Sequence, residues 1–213
     1  MRSEAKLPIY GRKEIVTKEV GGKIVEEVIY HTIPDFAFTD QAGEEVTPAT
    51  FHGKVYIVNF FYGGCPKVCP AMQQQMLRLY ERYKDDDQVK LLSITLDPAQ
   101  DSVAFLKDYA SKLGVESNHT WHFVTGDKGK IYVLAQKYFF LTAIEDEEEP
   151  GGIAHHPFLV LVDKAKRIRA FHDGSQHHVD SMVRKISKLR NEDRKKRFMG
   201  TLKEFYYRCT ERA

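Results

Sequence analysis

The segment VYIVNFFYGGCPKVCPAM, Val55 to Met72, places a pair of cysteines directly after an apolar run. The run, up to Phe61, is β-branched or aromatic at nearly every position, which is typical of a strand buried on both faces. Cys65 and Cys69 follow, each with a proline after it. Proline disfavours helical backbone in the residue before it and is well suited to the first turn of a helix. The segment therefore predicts a buried strand, a loop with both cysteines and a helix that begins near Cys69.

The sequence around this segment alternates between strand-like and helical patterns. A hairpin is predicted at Ile33–Val46, and further strands at Lys90–Leu96, Thr120–Gly126, Pro157–Asp163 and Arg167–Gly174. Helices are predicted at Met72–Tyr83, Ser102–Leu113, Lys128–Phe140 and Val179–Leu189. Asp101 or Ser102 is the expected N-cap of the second helix, and Gly114 is placed to end it. The pattern predicts an α/β fold, a central mixed sheet covered by helices on both faces.

One compact domain is expected at residues 33–189, because 213 residues with 42% hydrophobic content can bury one good-sized core. Residues 1–32 are polar, with a strand or hairpin pattern at most, and are interpreted as an N-terminal arm. Residues 190–213 are predicted to form a C-terminal helical extension, with Cys209 on its apolar side as a small hydrophobic residue.

The composition excludes several classes of function. Lysine and arginine (32) nearly balance aspartate and glutamate (30), so no nucleic-acid partner is expected. The acidic run Glu145–Glu149 and the basic cluster Arg190–Arg197 are interpreted as a solvated loop and a solvated helix face. The longest apolar run, Val55–Tyr62, is far below the roughly twenty residues of a membrane helix. The N-terminus has no apolar segment typical of a secretory signal, so none is expected on the chain as given.

The cysteine pair can be a metal site, a redox couple or two unconnected buried thiols. Three cysteines are too few for a scaffold held by structural disulfides. If Cys65 and Cys69 are one helical turn apart, their Cα atoms are roughly 6 Å apart, which permits a disulfide or a shared metal ion. The positive end of the helix dipole is expected to lower the thiol pKa of Cys69, and Lys67 acts in the same direction.

A metal site would need a further ligand, and the chain has nine histidines. His155 and His156 end a glycine-rich loop and begin a predicted strand. Adjacent residues of extended backbone point to opposite faces, so only one of the two can face the cysteines, and periodicity does not choose between them. The remaining histidines are assigned no role: His119, His122, His177 and His178 are expected at the surface, and His31, His52 and His172 are isolated.

Four motifs, in order, resemble the Sco/SenC family of copper-binding, thioredoxin-like proteins, which help to assemble the dinuclear copper centre (CuA) of cytochrome c oxidase. They are FFYGGCPKVCPAM, LLSITLDPAQDSVAFLKDYA, TWHFVTGDKGKIYVLA and HHPFLVLVDKAKRIRAFHDG, within Ile33–Leu189. The resemblance implies a thioredoxin-like fold, with the cysteine pair at the start of the first core helix and an N-terminal hairpin added to the sheet.

The resemblance also implies a set of metal ligands. The family binds copper through both cysteines of its C-P-x-x-C-P segment, here Cys65 and Cys69, and through one histidine a fixed step before its L-V-D strand, here His155. The family often has aspartate before this histidine and a small hydroxyl residue after it, where this chain has Ala154 and His156. Two thiolates and an imidazole suit Cu(I) and can also hold Cu(II). Oxidation of the pair to a disulfide would release the metal, and the loop before His155 would let that ligand swing away.

A copper metallochaperone is the function that the resemblance implies. Its partner would be cytochrome c oxidase subunit II or another copper-receiving protein, and it would deliver copper to CuA or prepare that site by redox chemistry. The family works on the extracytoplasmic side of energy-transducing membranes, so a periplasmic location and a tether outside this sequence are expected. The first alternative is a thiol-disulfide oxidoreductase with Cys65 and Cys69 as its redox-active pair. A thiol peroxidase is disfavoured, because Tyr62 stands three residues before Cys65 in place of threonine or serine.

Overall fold

The computed structural model describes residues 6–66, 68–115, 119–149, 151–175 and 179–192. The strands are β1 (Lys13–Val20), β2 (Lys23–Tyr30), β3 (Phe38–Asp40), β4 (Glu45–Val46), β5 (Val55–Phe61), β6 (Val89–Thr95), β7 (Trp121–Thr125), β8 (Ala143–Glu145), β9 (Ile153–His155), β10 (Phe158–Val162) and β11 (Ile168–Asp173). The helices are α1 (Val68–Tyr83), α2 (Val103–Lys112), α3 (Lys128–Val133) and α4 (180–192). No helix among these residues is long and apolar enough to cross a membrane.

Seven strands form one mixed sheet in the order β11-β10-β5-β6-β7-β3-β4. The three central strands, β5, β6 and β7, are parallel, and the strands on either side join them in antiparallel pairs. The α/β architecture with a central mixed sheet is therefore confirmed. The hairpin that the sequence predicts after Ile33 is β3–β4, and it forms one edge of this sheet.

The central strands are buried at every residue, as the apolar run in β5 predicts. Helix α1 covers them with a stripe that includes Met72, Met76 and Leu79, all fully buried. A polar connection crosses the three strands: Trp121 Nε1 donates to Ser93 Oγ at 2.9 Å, and Ser93 Oγ donates to Asn59 Oδ1 at 2.6 Å. Because buried polar atoms are costly when they have no partner, this connection favours one alignment of the three strands.

The helices begin and end largely where the sequence predicts. The Ser102 side chain caps α2 by accepting from the Phe105 backbone, and Gly114 follows the helix with a positive φ of 76°. The helix predicted for residues 128–140 is regular only in α3 and continues as a π-helical turn over Leu134–Tyr138. Of the predicted C-terminal extension, residues from 193 onward, including Cys209, lie outside the described residues.

Two hairpins stand apart from the seven-stranded sheet. Strands β1 and β2 form the N-terminal ribbon, which is exposed at all positions except the half-buried Val16. Strands β8 and β9 form the His155 hairpin, which the sequence does not predict, because residues 145–154 were expected to be a loop. Its turn is closed by two backbone hydrogen bonds, from Asp146 N to Gly152 O at 3.0 Å and from Gly152 N to Glu149 O at 2.8 Å.

The expectation that His122 lies at the surface is wrong. His122 is buried in β7, and its Nδ1 atom lies 3.1 Å from Asp40 Oδ2. Burial lowers the pKa of His122, with the Asp40 carboxylate acting in the opposite direction. His119 is exposed as expected, whereas His177 and His178 lie outside the described residues.

The direction of β10 brings the two halves of the predicted site together. This strand runs antiparallel to β5, with Val160 opposite Val58 and Val162 opposite Tyr56. The amino end of β10 therefore lies beside the carboxyl end of β5. As a result, the residues just before Phe158 lie level with the cysteine loop that follows Phe61.

Candidate metal centre

Both cysteines lie at the amino end of α1. Cys65 precedes the helix and Cys69 is its second residue, within one turn of the N-cap position that the sequence predicts. The Cys69 backbone N–H points at the Cys65 sulfur, with 3.4 Å between N and Sγ. Both residues are present as thiols and are buried, with exposed fractions of 8% for Cys65 and 2% for Cys69. Lys67, between them, lies outside the described residues.

His155 reaches the cysteines from the end of the His155 hairpin. Its Nε2 atom is 3.3 Å from Cys69 Sγ and 3.8 Å from Cys65 Sγ. The three potential ligand atoms all lie within 4.8 Å of one another. Metal–sulfur bonds of about 2.3 Å and metal–nitrogen bonds of about 2.0 Å place neighbouring ligand atoms about 3.5 to 4 Å apart. The structure thus brings together the three residues that the sequence comparison with the family selects, in a geometry that fits one soft metal ion.

The expected lowering of the Cys69 thiol pKa is wrong. The pKa of Cys69 is raised well above its ordinary value, first by the hydrogen bond to the Cys65 sulfur and then by burial. A backbone hydrogen bond from Tyr62 acts in the opposite direction without reversing the shift. The neighbouring sulfur and burial both favour the protonated thiol of Cys69 over its thiolate.

Tyr62 packs against His155, a contact that the sequence does not predict. The two rings lie edge to face, with centroids 5.6 Å apart and an angle of 77° between their planes. The other imidazole nitrogen of His155, Nδ1, is buried and finds no hydrogen-bond partner among the described residues. Ring packing therefore orients this imidazole, at a place where the family often has an aspartate and this chain has Ala154. The position of Tyr62 directly after β5 was the available signal.

The turn of the His155 hairpin also lies close to the Tyr62 ring. A Cβ atom on Gly151 would lie 2.4 Å from the Tyr62 hydroxyl oxygen, so this position accommodates only glycine without displacing the ring. Gly151 also has a positive φ of 97°, which favours glycine independently. The turn, the tyrosine ring and the imidazole thus form one packed unit.

Asp101 holds the cysteine loop from the opposite side. Its Oδ2 atom accepts a hydrogen bond of 2.9 Å from Gly63 N and a second one from the Thr95 hydroxyl. Burial raises the pKa of Asp101, and these two hydrogen bonds partly offset the increase. The sequence offers Asp101 only as an alternative cap of α2, whereas the structure uses it to fix the path of the loop.

A cavity of about 370 Å³ opens beside the three predicted ligands. Its lining includes Cys65, His155, Tyr62, Glu149 and His156, so Cys65 rather than Cys69 borders this space. His156 Nδ1 accepts a hydrogen bond of 3.0 Å from the Thr142 backbone N–H. One nitrogen of this second histidine is therefore already occupied by the protein itself.

The chain is similar to known proteins over most of its length. The "SCO1 protein homolog" of Bacillus subtilis is 24% identical over 165 residues, which cover 76% of this chain and 85% of that protein. A solved SCO1/SenC family lipoprotein from Bacillus anthracis is 25% identical, with a TM-score of 0.68 over 75% of this chain and 95% of its own. Arabidopsis thaliana ScoI, solved with copper bound, has a TM-score of 0.61 at 21% identity over 74% of this chain and 98% of its own.

These solved structures confirm the thioredoxin-like fold. The sequence model of the SCO1/SenC family matches residues 27–191, more than half of the chain, and includes both cysteines and His155. The chain is therefore a member of the SCO1/SenC family.

Proposed function

We propose that this protein binds one copper ion through Cys65, Cys69 and His155 and transfers it to a copper-receiving partner. The observation that carries the proposal is the convergence of two thiols and one imidazole within 4.8 Å. Thiolate and imidazole ligands suit Cu(I), and a site rich in thiolate can also hold Cu(II). The copper bound to Arabidopsis ScoI, a protein of the same fold, supports this choice of metal.

Transfer requires that one ligand be reachable from outside. Cys65 lines the cavity, whereas Cys69 is the more deeply buried of the two sulfurs. An incoming ligand would therefore displace Cys65 first and leave Cys69 and His155 to release the metal afterwards. The receiving partner that we propose is the cytochrome c oxidase subunit that holds CuA, because a structural neighbour is described as belonging to the Sco family of cytochrome c oxidase assembly proteins.

Anaerobic titration of the reduced protein with Cu(I), followed by X-ray absorption at the copper edge, tests the metal site. We expect one copper per chain, with two sulfur neighbours and one nitrogen neighbour. Cys65→Ser and Cys69→Ser should each lose tight binding, while Ser175→Ala, at an exposed turn, should keep it. Tight binding that survives both cysteine substitutions, or a copper edge without sulfur neighbours, would contradict the proposal.

A second function uses the same cysteines for thiol-disulfide exchange. The Cys65 thiolate would attack a disulfide of the partner and form a mixed disulfide, which the Cys69 thiolate would then resolve. The partner would leave with two thiols, and two electrons would have passed to it as Cys65 and Cys69 form a disulfide. The unequal exposure of the two sulfurs favours Cys65 as the attacking group.

One variant distinguishes copper binding from thiol-disulfide exchange. His155→Ala should abolish tight copper binding but leave reduction of a model disulfide within about twofold, because the imidazole is not needed for exchange. Cys69→Ser should abolish both and trap the mixed disulfide. Loss of reduction in His155→Ala would make copper binding and exchange inseparable and remove the oxidoreductase as an independent function.

We place this protein on the extracytoplasmic side of a membrane, held by a tether outside this sequence. The description of the Bacillus anthracis relative as a lipoprotein supports this location. Protease treatment of intact spheroplasts from cells that express the native gene should digest the protein. Protection in intact spheroplasts, with digestion only after lysis, would contradict an extracytoplasmic location.

A further inference from the structure

The N-terminal ribbon is a sheet with two unused edges. Strands β1 and β2 pair only with each other among the described strands. Each therefore has an outer edge whose backbone N–H and C=O groups are not used by a neighbouring strand. The ribbon lies mostly outside the region matched by the SCO1/SenC family model, which begins at residue 27. The family match therefore does not account for the ribbon, and its role is inferred from its own residues.

The ribbon is firmly attached at its base. Tyr10 N donates to Ile168 O at 2.9 Å just before β1, and Ile33 N donates to Lys166 O at 2.8 Å just after β2. The Arg169 guanidinium also donates to the carbonyls of Pro8 and Leu7, at 2.9 and 2.7 Å. Because both ends are held on β11 and its preceding turn, the body of the molecule presents the ribbon in one place.

The exposed surface of the ribbon is unusually apolar. Large apolar side chains stand in solvent along both strands: Ile15, Val20, Ile24, Val25, Val28 and Ile29. Ile24 is 80% exposed. An isolated two-stranded hairpin is marginal in water, and three or more strands are needed for independent stability. A further strand added to one edge would supply the missing hydrogen bonds and partly cover the apolar side chains of the strand beside it.

We propose that the occupant of this edge is β1 of a second copy of the chain. In an antiparallel pair, opposed residues point to the same face, and a two-fold axis perpendicular to the sheet keeps every residue on its own face. The pairing must therefore be centred on a single residue. Centred on Val16, it opposes Lys13 with Glu19 of the second copy and Glu14 with Lys18 of the second copy. By symmetry, this register makes four contacts between opposite charges.

Other registers lack this complementarity. Pairings centred on Ile15 or Thr17 oppose no charged residue of β1 with an opposite charge, and the Ile15 register sets Lys18 against Arg12 of the second copy. On the other edge, the central registers of β2 place Glu26 or Glu27 directly against its own copy, which is destabilising. The charge pattern thus favours pairing through β1, with four contacts between opposite charges, over pairing through β2, where the register centred on Val25 makes only two such contacts, between Lys23 and Glu27. The product is a dimer with a continuous four-stranded sheet in the order β2-β1-β1-β2.

Sedimentation of the full-length reduced protein over a range of concentrations tests the proposal. We expect a reversible monomer–dimer equilibrium. Lys13→Glu places two glutamates opposite each other at two symmetry-related positions and should weaken dimerisation by about tenfold or more. The matched double variant Lys13→Glu/Glu19→Lys restores opposite charges and should restore the dimer. Neither variant touches the core or the contact between Lys18 and Glu27 within one ribbon, so thermal melting at a concentration where every variant is monomeric should be unchanged.

Three results would overturn the assignment. The first is a protein that is monomeric at every concentration, and the second is a dimer whose dissociation constant is unchanged by Lys13→Glu. A monomer that binds phospholipid vesicles through the ribbon would assign this surface to a membrane instead. Recovery of the dimer only in the double variant, with Lys13→Glu and Glu19→Lys each defective alone, supports the Val16 register.

Discussion

The two hairpins that stand outside the main sheet differ in what covers them. The His155 hairpin buries Ala143 fully and Ile153 to 7% exposure, whereas the N-terminal ribbon leaves Ile24 80% exposed. Two paired strands are marginal by themselves, so each hairpin depends on its surroundings for a fixed position. The packed hairpin is therefore suited to hold the proposed ligand His155 in a fixed position. The bare ribbon is suited to add a strand rather than to place a side chain.

The largest expected effect concerns copper binding by the His155 hairpin. His155→Ala removes one of three proposed ligands and should weaken Cu(I) affinity by about 4 kcal/mol, roughly a thousandfold. His156→Ala is the matched control, because its Nδ1 already accepts from Thr142. It should cost less than about tenfold. Competition against a Cu(I) chelator measures both, and the opposite order of effects would transfer the ligand role to His156.

A second large effect is expected at the base of the ribbon. Asp163 Oδ2 accepts from Arg169 at 3.0 Å, and Arg169 in turn holds the carbonyls of Leu7 and Pro8. Asp163→Asn removes one of the two carboxylate partners of the buried Arg169, the other being Glu192 Oε2 at 2.8 Å, and should lower the free energy of unfolding by about 2 kcal/mol at neutral pH. Urea unfolding of both proteins at pH 7 provides the measurement.

The same pair predicts a pH dependence. Burial alone would raise the pKa of Asp163, but hydrogen bonds from Arg167 and Arg169 outweigh it and hold the pKa below its ordinary value of 3.8. The stabilisation is therefore complete above pH 3.8 and is lost as the pH falls through the lower folded pKa. The difference between wild type and Asp163→Asn should narrow below about pH 4. A constant difference down to pH 2 would contradict this account.

Two isoleucine substitutions, one in each hairpin, test the difference in burial between the His155 hairpin and the N-terminal ribbon. Ile153→Ala, in the packed hairpin, should lower the free energy of unfolding by about 2 kcal/mol through lost contacts and a residual cavity. Ile24→Ala, in the ribbon, should change it by less than about 0.5 kcal/mol at low protein concentration. Thermal or urea unfolding compares them directly. Equal costs at the two sites would mean that the ribbon is covered in the monomer.

The smallest expected effect compares a glycine from each turn. Gly21 and Gly151 both have positive φ, so alanine should cost about 1 kcal/mol of stability at either position. At Gly21 the added Cβ meets no described atom within 4 Å, whereas at Gly151 it meets the Tyr62 hydroxyl. Only Gly151→Ala should therefore disturb His155 and weaken Cu(I) affinity, by about tenfold. Unchanged affinity would show that the Tyr62 ring does not orient the imidazole.

The main sheet was predictable because its central strands are unbroken apolar runs and its helices have clear periodicity. The position of His122 was not, because alternation carries no information in a strand that is buried on both faces, as β7 is. The His155 hairpin was missed because each of its strands has only three residues and the turn between them is acidic. Hairpins this short depend on tertiary packing more than on local pattern.

The sequence was sufficient to select the residues of the candidate site, but not to predict the Cys69 pKa or the contacts that surround the site. Motif order selects Cys65, Cys69 and His155, and the topology brings them together. The pKa of Cys69 depends on how close the two sulfurs lie, which four residues of sequence separation do not determine. The roles of Tyr62 and Gly151 arise from a contact between segments about ninety residues apart, and a single sequence gives no signal for such a pair.

The antiparallel pairing of β10 with β5 also limits how this chain can change in length. Each residue advances a strand by about 3.3 Å and reverses the direction of the side chain. One residue lost or gained between His155 and Val160 would carry the imidazole away from the sulfurs and turn it to the other face. The turn between β10 and β11 lies at the opposite end of β10, so its length can vary without moving the ligand. Insertions and deletions in related chains should therefore be absent from the five residues that follow His155, whereas a change in the turn between β10 and β11 would disturb the Asp163 contacts and the base of the ribbon rather than His155.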